Sequence, residues 1–108
     1  MKQAMGMILT GRHVPAREGQ TLGFVNEVVP QGQALDAAIG WAERILALSP
    51  MSIRASKEIV RRGMEMPIAD AYDAQREFPA ARAMLGSEDF VEGPRAFAEK
   101  RQPNWKGR

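Results

Sequence analysis

Glu92-Gly93-Pro94-Arg95-Ala96-Phe97-Ala98-Glu99-Lys100-Arg101, continued by Gln102-Pro103-Asn104-Trp105-Lys106-Gly107-Arg108, reads as an amphipathic helix that closes in a basic cluster, then an aromatic anchor and a basic end. Ser87 is suited to cap this helix, because its hydroxyl can accept an N–H left over in the first turn. Glu88 and Asp89 then complement the positive helix end. Pro94 is expected to interrupt or kink the helix, having no N–H to give. Phe97 and Lys100 are three residues apart, a spacing that puts ring and ammonium on one side of a helix. A flat ring beside a cation suits a ligand carrying an aromatic base and phosphates. On these residues alone, a core Phe with a solvated Lys outweighs that reading.

Upstream, the pattern stays helical. Ala4, Met5, Ile8 and Leu9 recur at helical spacing with Met1 on the same stripe, and Thr10-Gly11 ends the run. A second short helix is expected from Pro15 to Leu22, stopping at Gly23 and weakened by Gly19. Phe24-Val25-Asn26-Glu27-Val28-Val29, closed by Pro30, predicts one strand, with no partner strand in the chain. Leu35, Ala38, Ile39, Ala42, Ile45 and Leu46 form one apolar helix face. Ser49-Pro50 restarts a helix, Ser as cap and Pro in the first turn; it runs to about Arg62 with Ile53, Val60 and Met64 on one side and stops at Gly63. Pro67 opens a further helix that Pro79 should bend.

Composition bounds the function. The 108 residues are one domain's worth, 44% hydrophobic and 26% charged, as expected of a folded globular chain. Fifteen Lys and Arg against thirteen Asp and Glu leave a net charge of only +2, too small a footprint for nucleic-acid binding as a primary role. No cysteine is present, which removes disulfides, thiolate nucleophiles and cysteine metal sites and fits a reducing, cytoplasmic setting. No apolar run approaches the roughly 18 residues of a membrane span.

Nothing in the chain assembles a reaction centre. His13, the one histidine, falls in an expected loop without a partner, and one His with no Cys leaves no metal site to propose. Ser49, Ser52, Ser56 and Ser87 lack a nucleophile-elbow context, and Ser49 and Ser87 read as caps. Asp70, Asp73, Glu88, Asp89 and Glu92 are spaced as exposed helix faces. Lys57, Arg61 and Arg62 read as a solvated face near a helix C-terminus.

Several stretches resemble the C-terminal part of the enoyl-CoA hydratase/isomerase (crotonase) family. Ala4-Met5-Gly6-Met7-Ile8-Leu9-Thr10-Gly11-Arg12 is similar to its A-x-x-x-x-L-T-G-R helix end, and Gly23-Phe24-Val25-Asn26-Glu27-Val28-Val29 to its G-L-V-N-x-V-V segment. Ser49-Pro50 with Lys57 is similar to S-P-x-A-x-x-x-x-K. Ser87-Glu88-Asp89, Glu92-Gly93 and Ala96-Phe97-x-Glu99-Lys100-Arg101 are similar to S-x-D-x-x-E-G-x-x-A-F-x-E-K-R. Each motif is weak alone; their order and spacing carry the resemblance. Pro15, Gly19, Pro79 and Pro94 depart from the family pattern.

The resemblance implies a mainly α region, the helical trimerisation part of a crotonase-like fold with one short strand. It divides the chain into a junction segment, 1–30, and a helical oligomerisation domain, 31–108. The activity implied is hydration of a 2-enoyl-CoA by a full-length enzyme. The family's oxyanion-hole segment, Gly-rich loop and catalytic glutamates are expected upstream of this sequence, so no catalytic residue is assigned here and enzymatic activity of this chain stays open. Phe97 and Lys100 match family positions that contact the adenine end of coenzyme A, which tips that pair toward ligand contact. Lys106 and Arg108 lie in a chain end of the kind that is often mobile. The implied partners are acyl-CoA, with coenzyme A as part of the substrate rather than a cofactor, and further copies of the chain as a trimer or dimer of trimers; no nucleic acid, membrane or metal is implied. The competing reading is a free-standing helical protein-interaction module.

Overall fold

The computed structural model describes residues 2–108, and among them every regular element is a helix. In chain order these are α1 (Lys2–Thr10), α2 (Ala16–Thr21), α3 (Ala34–Leu46), α4 (Pro50–Gly63), α5 (Ile68–Ala74), a 3₁₀ turn (Gln75–Glu77), α6 (Pro79–Leu85) and α7 (Glu88–Ala98). Met1, placed on the α1 stripe from its spacing, lies outside the described residues. The chain divides into two compact units, one up to Gly40 and one from Trp41 onward.

In the first unit, Gly11 takes the left-handed φ of 62° that ends α1. Arg12 grips Glu18 with two bonds, Nη1 to Oε2 at 3.0 Å and Nη2 to Oε1 at 2.8 Å. Gly19 is buried in α2 for a steric reason: a Cβ there would stand 2.8 Å from Val25 Cγ2 and 2.9 Å from Phe24 Cε2. The N–H groups of Phe24 and Val25 both donate to the Gly19 carbonyl, at 3.1 and 3.2 Å. The residue expected to weaken α2 is therefore what lets the following segment fold against it. The strand expected over 24–29 does not form among the described residues. Its β-branched run has no ladder to join, and a strand is a property of pairing rather than of one segment.

In the second unit, α4 packs against α6. Ala55, Phe78 and Ala81 are buried at the contact, with Ile59, Ala74 and Met84 against them. The small residues allow close approach, and Phe78 supplies most of the apolar volume. The buried side of α4 is thus Ala55 and Ile59, while Val60 and Met64 from the expected apolar face stay exposed. Glu58 of α4 caps α6 across the interface, accepting the Ala80 N–H at 2.7 Å. Arg62 pairs with Glu58 at 3.1 Å and stacks 4.7 Å above the Phe78 ring.

The prolines act differently from expectation. Pro79 does not bend a continuing helix; it starts α6, and Phe78 before it is extended (φ −64°, ψ 137°). Clash with the proline ring drives the preceding residue out of the helical region, so the earlier helix ends there. Pro94 lies inside α7, which runs on through it to Ala98. Ser49 and Ser87 do cap α4 and α7, accepting from the N–H of Ser52 (3.3 Å) and Phe90 (3.1 Å).

Candidate functional site

The C-terminal end of α7 and the segment that follows it form the most built part of the second unit. Phe97 sits in the last turn with its ring 87% exposed, so it is not a core residue. The helix ends at Ala98, and Lys100 lies beyond it with φ 53°. The idea that Phe97 and Lys100 share a helix face is therefore corrected. They are joined instead by a turn in which the Lys100 N–H donates to the Phe97 carbonyl (3.2 Å) and the Arg101 N–H to the Ala96 carbonyl (3.0 Å). This pair of bonds is the Schellman closure of a helix, with Lys100 where glycine is usual.

Arg101 braces that turn. Its Nη1 and Nη2 donate to Glu92 Oε1 (2.6 Å) and Oε2 (2.9 Å), and its Nε donates to Glu99 Oε2 (2.6 Å). Glu99 also accepts from Arg95 Nε at 3.0 Å. The fork-to-carboxylate geometry fixes orientation as well as charge. Glu92 additionally accepts the Asn104 N–H at 2.7 Å. The Arg101 guanidinium, then the Asn104 N–H, hold the Glu92 carboxyl down at about 2. Glu99 is lowered by Arg101 and Arg95, and Arg101 is held more firmly protonated by its two carboxylates. Arg95, Arg101 and Arg108 are all ion-paired, whereas among the described residues Lys100 and Lys106 take part in no ion pair. Those two ammonium groups are the cations at this end left to meet an external anion.

Segment 102–108 is tied back to the helices at several points. Trp105 Nε1–H donates to the Ala47 carbonyl at 2.9 Å, and its ring lies where a Cβ on Gly93 would sit 3.4 Å away. Asp89 is the second fastening point. It is only 3% exposed, correcting its expected place on a solvated face. It accepts from Ser49 Oγ–H (2.7 Å), the Lys106 N–H (2.6 Å) and the Gly107 N–H (3.1 Å to Oδ1). Burial pushes its carboxyl up, but the bond from Ser49 and those from Lys106 and Gly107 outweigh it and leave the group below its ordinary value. Ser49 thus does two jobs, capping α4 and holding Asp89. Arg108 also pairs with Glu88 at 2.9 Å.

The remaining sequence candidates are not drawn into this region. His13 is an exposed residue of the first unit. Arg54, Lys57, Arg61 and Arg62 line an open depression on α4 together with Glu58 and Glu65. No helix among the described residues is long and apolar enough to cross a membrane. The motifs S-x-D and E-K-R contain Asp89, Lys100 and Arg101, but the bonds that Asp89 makes to Ser49, Lys106 and Gly107 and that Arg101 makes to Glu92 depend on partners the motifs do not reveal.

Residues 1–108 match the sequence model described as enoyl-CoA hydratase/isomerase. The chain is 43% identical over 107 residues to a carnitinyl-CoA dehydratase of Citrobacter koseri, covering 94% of this chain and 40% of that protein. An Escherichia coli carnitinyl-CoA dehydratase matches at 43% with the same coverage. Among solved structures, an enoyl-CoA hydratase from Mycobacterium tuberculosis superposes with a TM-score of 0.90 at 36% identity, covering 99% of this chain and 42% of that one. One from Bacillus anthracis gives 0.89 at 31% identity, covering 100% and 41%. The chain thus spans about 40% of the length of the curated relatives it matches.

Proposed function

Since the chain belongs to the enoyl-CoA hydratase/isomerase family, we propose that it is the helical part of an enzyme acting on acyl-CoA thioesters, with hydration of a 2-enoyl-CoA to the 3-hydroxyacyl-CoA as the activity of the full-length protein. In this reading 1–30 is the junction with the catalytic core, and 31–108 serves association between copies, as a trimer or dimer of trimers. The end of α7 forms the rim of the coenzyme A site, Phe97 stacking on the adenine and Lys100 pairing with phosphate. The absence of cysteine is in keeping with a cytoplasmic enzyme.

The observation that carries the rim reading is an exposed ring three residues from an ammonium that no carboxylate neutralises, on a turn braced from two sides. An aromatic face with an unpaired cation recognises a purine attached to phosphate, through stacking and charge together. The catalytic step calls for an oxyanion hole and a proton-transferring group, and in this reading the rest of the fold supplies both.

Titration of the isotope-labelled chain with coenzyme A tests the rim. Amide shifts at Phe97, Lys100 and Arg101 that vanish in Phe97→Ala and Lys100→Ala are expected; shifts unaffected by both substitutions would remove the assignment. For the activity, the full-length protein should hydrate crotonyl-CoA while the 108-residue chain alone does not. Hydration by this chain at enzyme-like rates would sink the division of labour.

A further inference from the structure

Lys100 is the one non-glycine residue with positive φ among the described residues. Glycine accepts that conformation freely, whereas a Cβ meets the neighbouring carbonyl oxygen. A strained backbone persists only where its surroundings over-determine it, and here the surroundings can be named. Arg101, the next residue, is held by Glu92 through both terminal nitrogens and by Glu99 through Nε. Its N–H closes the turn on Ala96. Glu92 is in turn tied to Asn104, so the chain is fixed on both sides of Lys100.

Resting on the rim reading above, we propose that Arg101 is a positioning residue for Lys100. By locking the turn, it holds Lys100 in the left-handed conformation from which its ammonium, paired with no carboxylate, is presented to an anionic, purine-bearing ligand. Arg101 spends its own charge on Glu92 and Glu99, so it contributes geometry, while Lys100 contributes the free charge. Glycine at position 100 would close the same turn without strain but would present no ammonium, so the lysine is explained by binding and not by the fold.

The test is a binding cycle on the full-length protein that carries these residues, with adenosine 3′,5′-bisphosphate as the probe. Arg101→Gln and Lys100→Ala should each weaken binding about tenfold, and the double variant should bind no more weakly than Lys100→Ala alone. Lys100→Gly should melt at a higher temperature than Lys100→Ala yet bind as poorly. Should Arg101→Gln fail to fold, Glu99→Gln, which leaves the Glu92 fork in place, takes its part in the cycle with a loss of about threefold. Wild-type affinity in Arg101→Gln, or losses that add fully in the double variant, overturn the positioning role alone. A full-length wild-type protein that ignores the probe overturns the rim reading and this role with it. A Lys100→Gly variant no more stable than Lys100→Ala overturns the strained turn.

Discussion

Ser49 and Asp89 meet at 2.7 Å across forty residues of sequence, joining the start of α4 to the first turn of α7. Because Asp89 also takes the Lys106 and Gly107 N–H groups, one carboxylate holds two helix starts and segment 102–108 together. Asn in its place would keep one acceptor oxygen and turn an NH₂ toward groups that are themselves donors. Asp89→Asn should therefore lower the melting temperature by ~5–10 °C and expose the Lys106 and Gly107 amides to hydrogen exchange. Unchanged melting and exchange would show that the carboxylate is not the fastening point.

Stability should fall in acid, with a definable window. The Glu92 carboxyl sits at about 2 in the folded chain against an ordinary 4.5. A depressed folded value means the unfolded chain binds the proton more readily between those limits, so the stabilisation is full above the ordinary value and is lost as pH falls toward the folded one. The downward shifts of Asp89 and Glu99 act in the same sense. Melting curves should therefore decline from about pH 5 downward, and Glu92→Gln should flatten part of that slope. An equal slope in the variant would refute the Glu92 contribution.

Two glycine-to-alanine changes should have opposite signs. Gly6 in α1 has nothing within 4 Å of an added Cβ, so Gly6→Ala should stabilise by up to ~1 kcal/mol through helix propensity. Gly19→Ala places the same methyl 2.8 Å from Val25 Cγ2 and should destabilise by about 1–2 kcal/mol, since the β-branched side chain has little freedom to yield. Urea unfolding measures both; two changes of the same sign would contradict the packing around Gly19.

Self-association should follow from the uncovered face of α3. Leu35, Ile39, Ile45 and Leu46 are all exposed, and apolar patches of this kind are rarely left open to water. Sedimentation should show concentration-dependent oligomers that Ile39→Glu and Leu46→Glu dissociate toward monomer. A monomer at every concentration would exclude this face as an association surface.

Helix starts and stops are legible in the sequence because their chemistry is local. Ser49-Pro50, Ser87, Gly11 and Gly23 each satisfy or release backbone groups within a few residues. What is not legible depends on partners far along the chain. The β-branched run at 24–29 has strand propensity but no strand to pair with among the described residues. Asp89 looks like one more first-turn acid until Ser49, Lys106 and Gly107 are brought to it. Lys100 reads as a helical i+3 residue because no glycine marks the turn, and the brace that makes the lysine tolerable comes from Glu92, nine residues before Arg101. Pro79 announces a disturbance, but whether a proline bends, ends or begins a helix is decided by the backbone of the residue before it.

The fastening of 102–108 also predicts how the molecule comes apart. Its ties are a few hydrogen bonds, the exposed Arg108–Glu88 ion pair and one indole, closing loops of 12 residues or more, whereas α4 and α6 share buried side chains. The segment should form a unit of lower stability that opens while the helix pair stays closed. A protease acting on the native chain would then cut first around Pro103 to Lys106, at a rate set by this local opening and not by global unfolding.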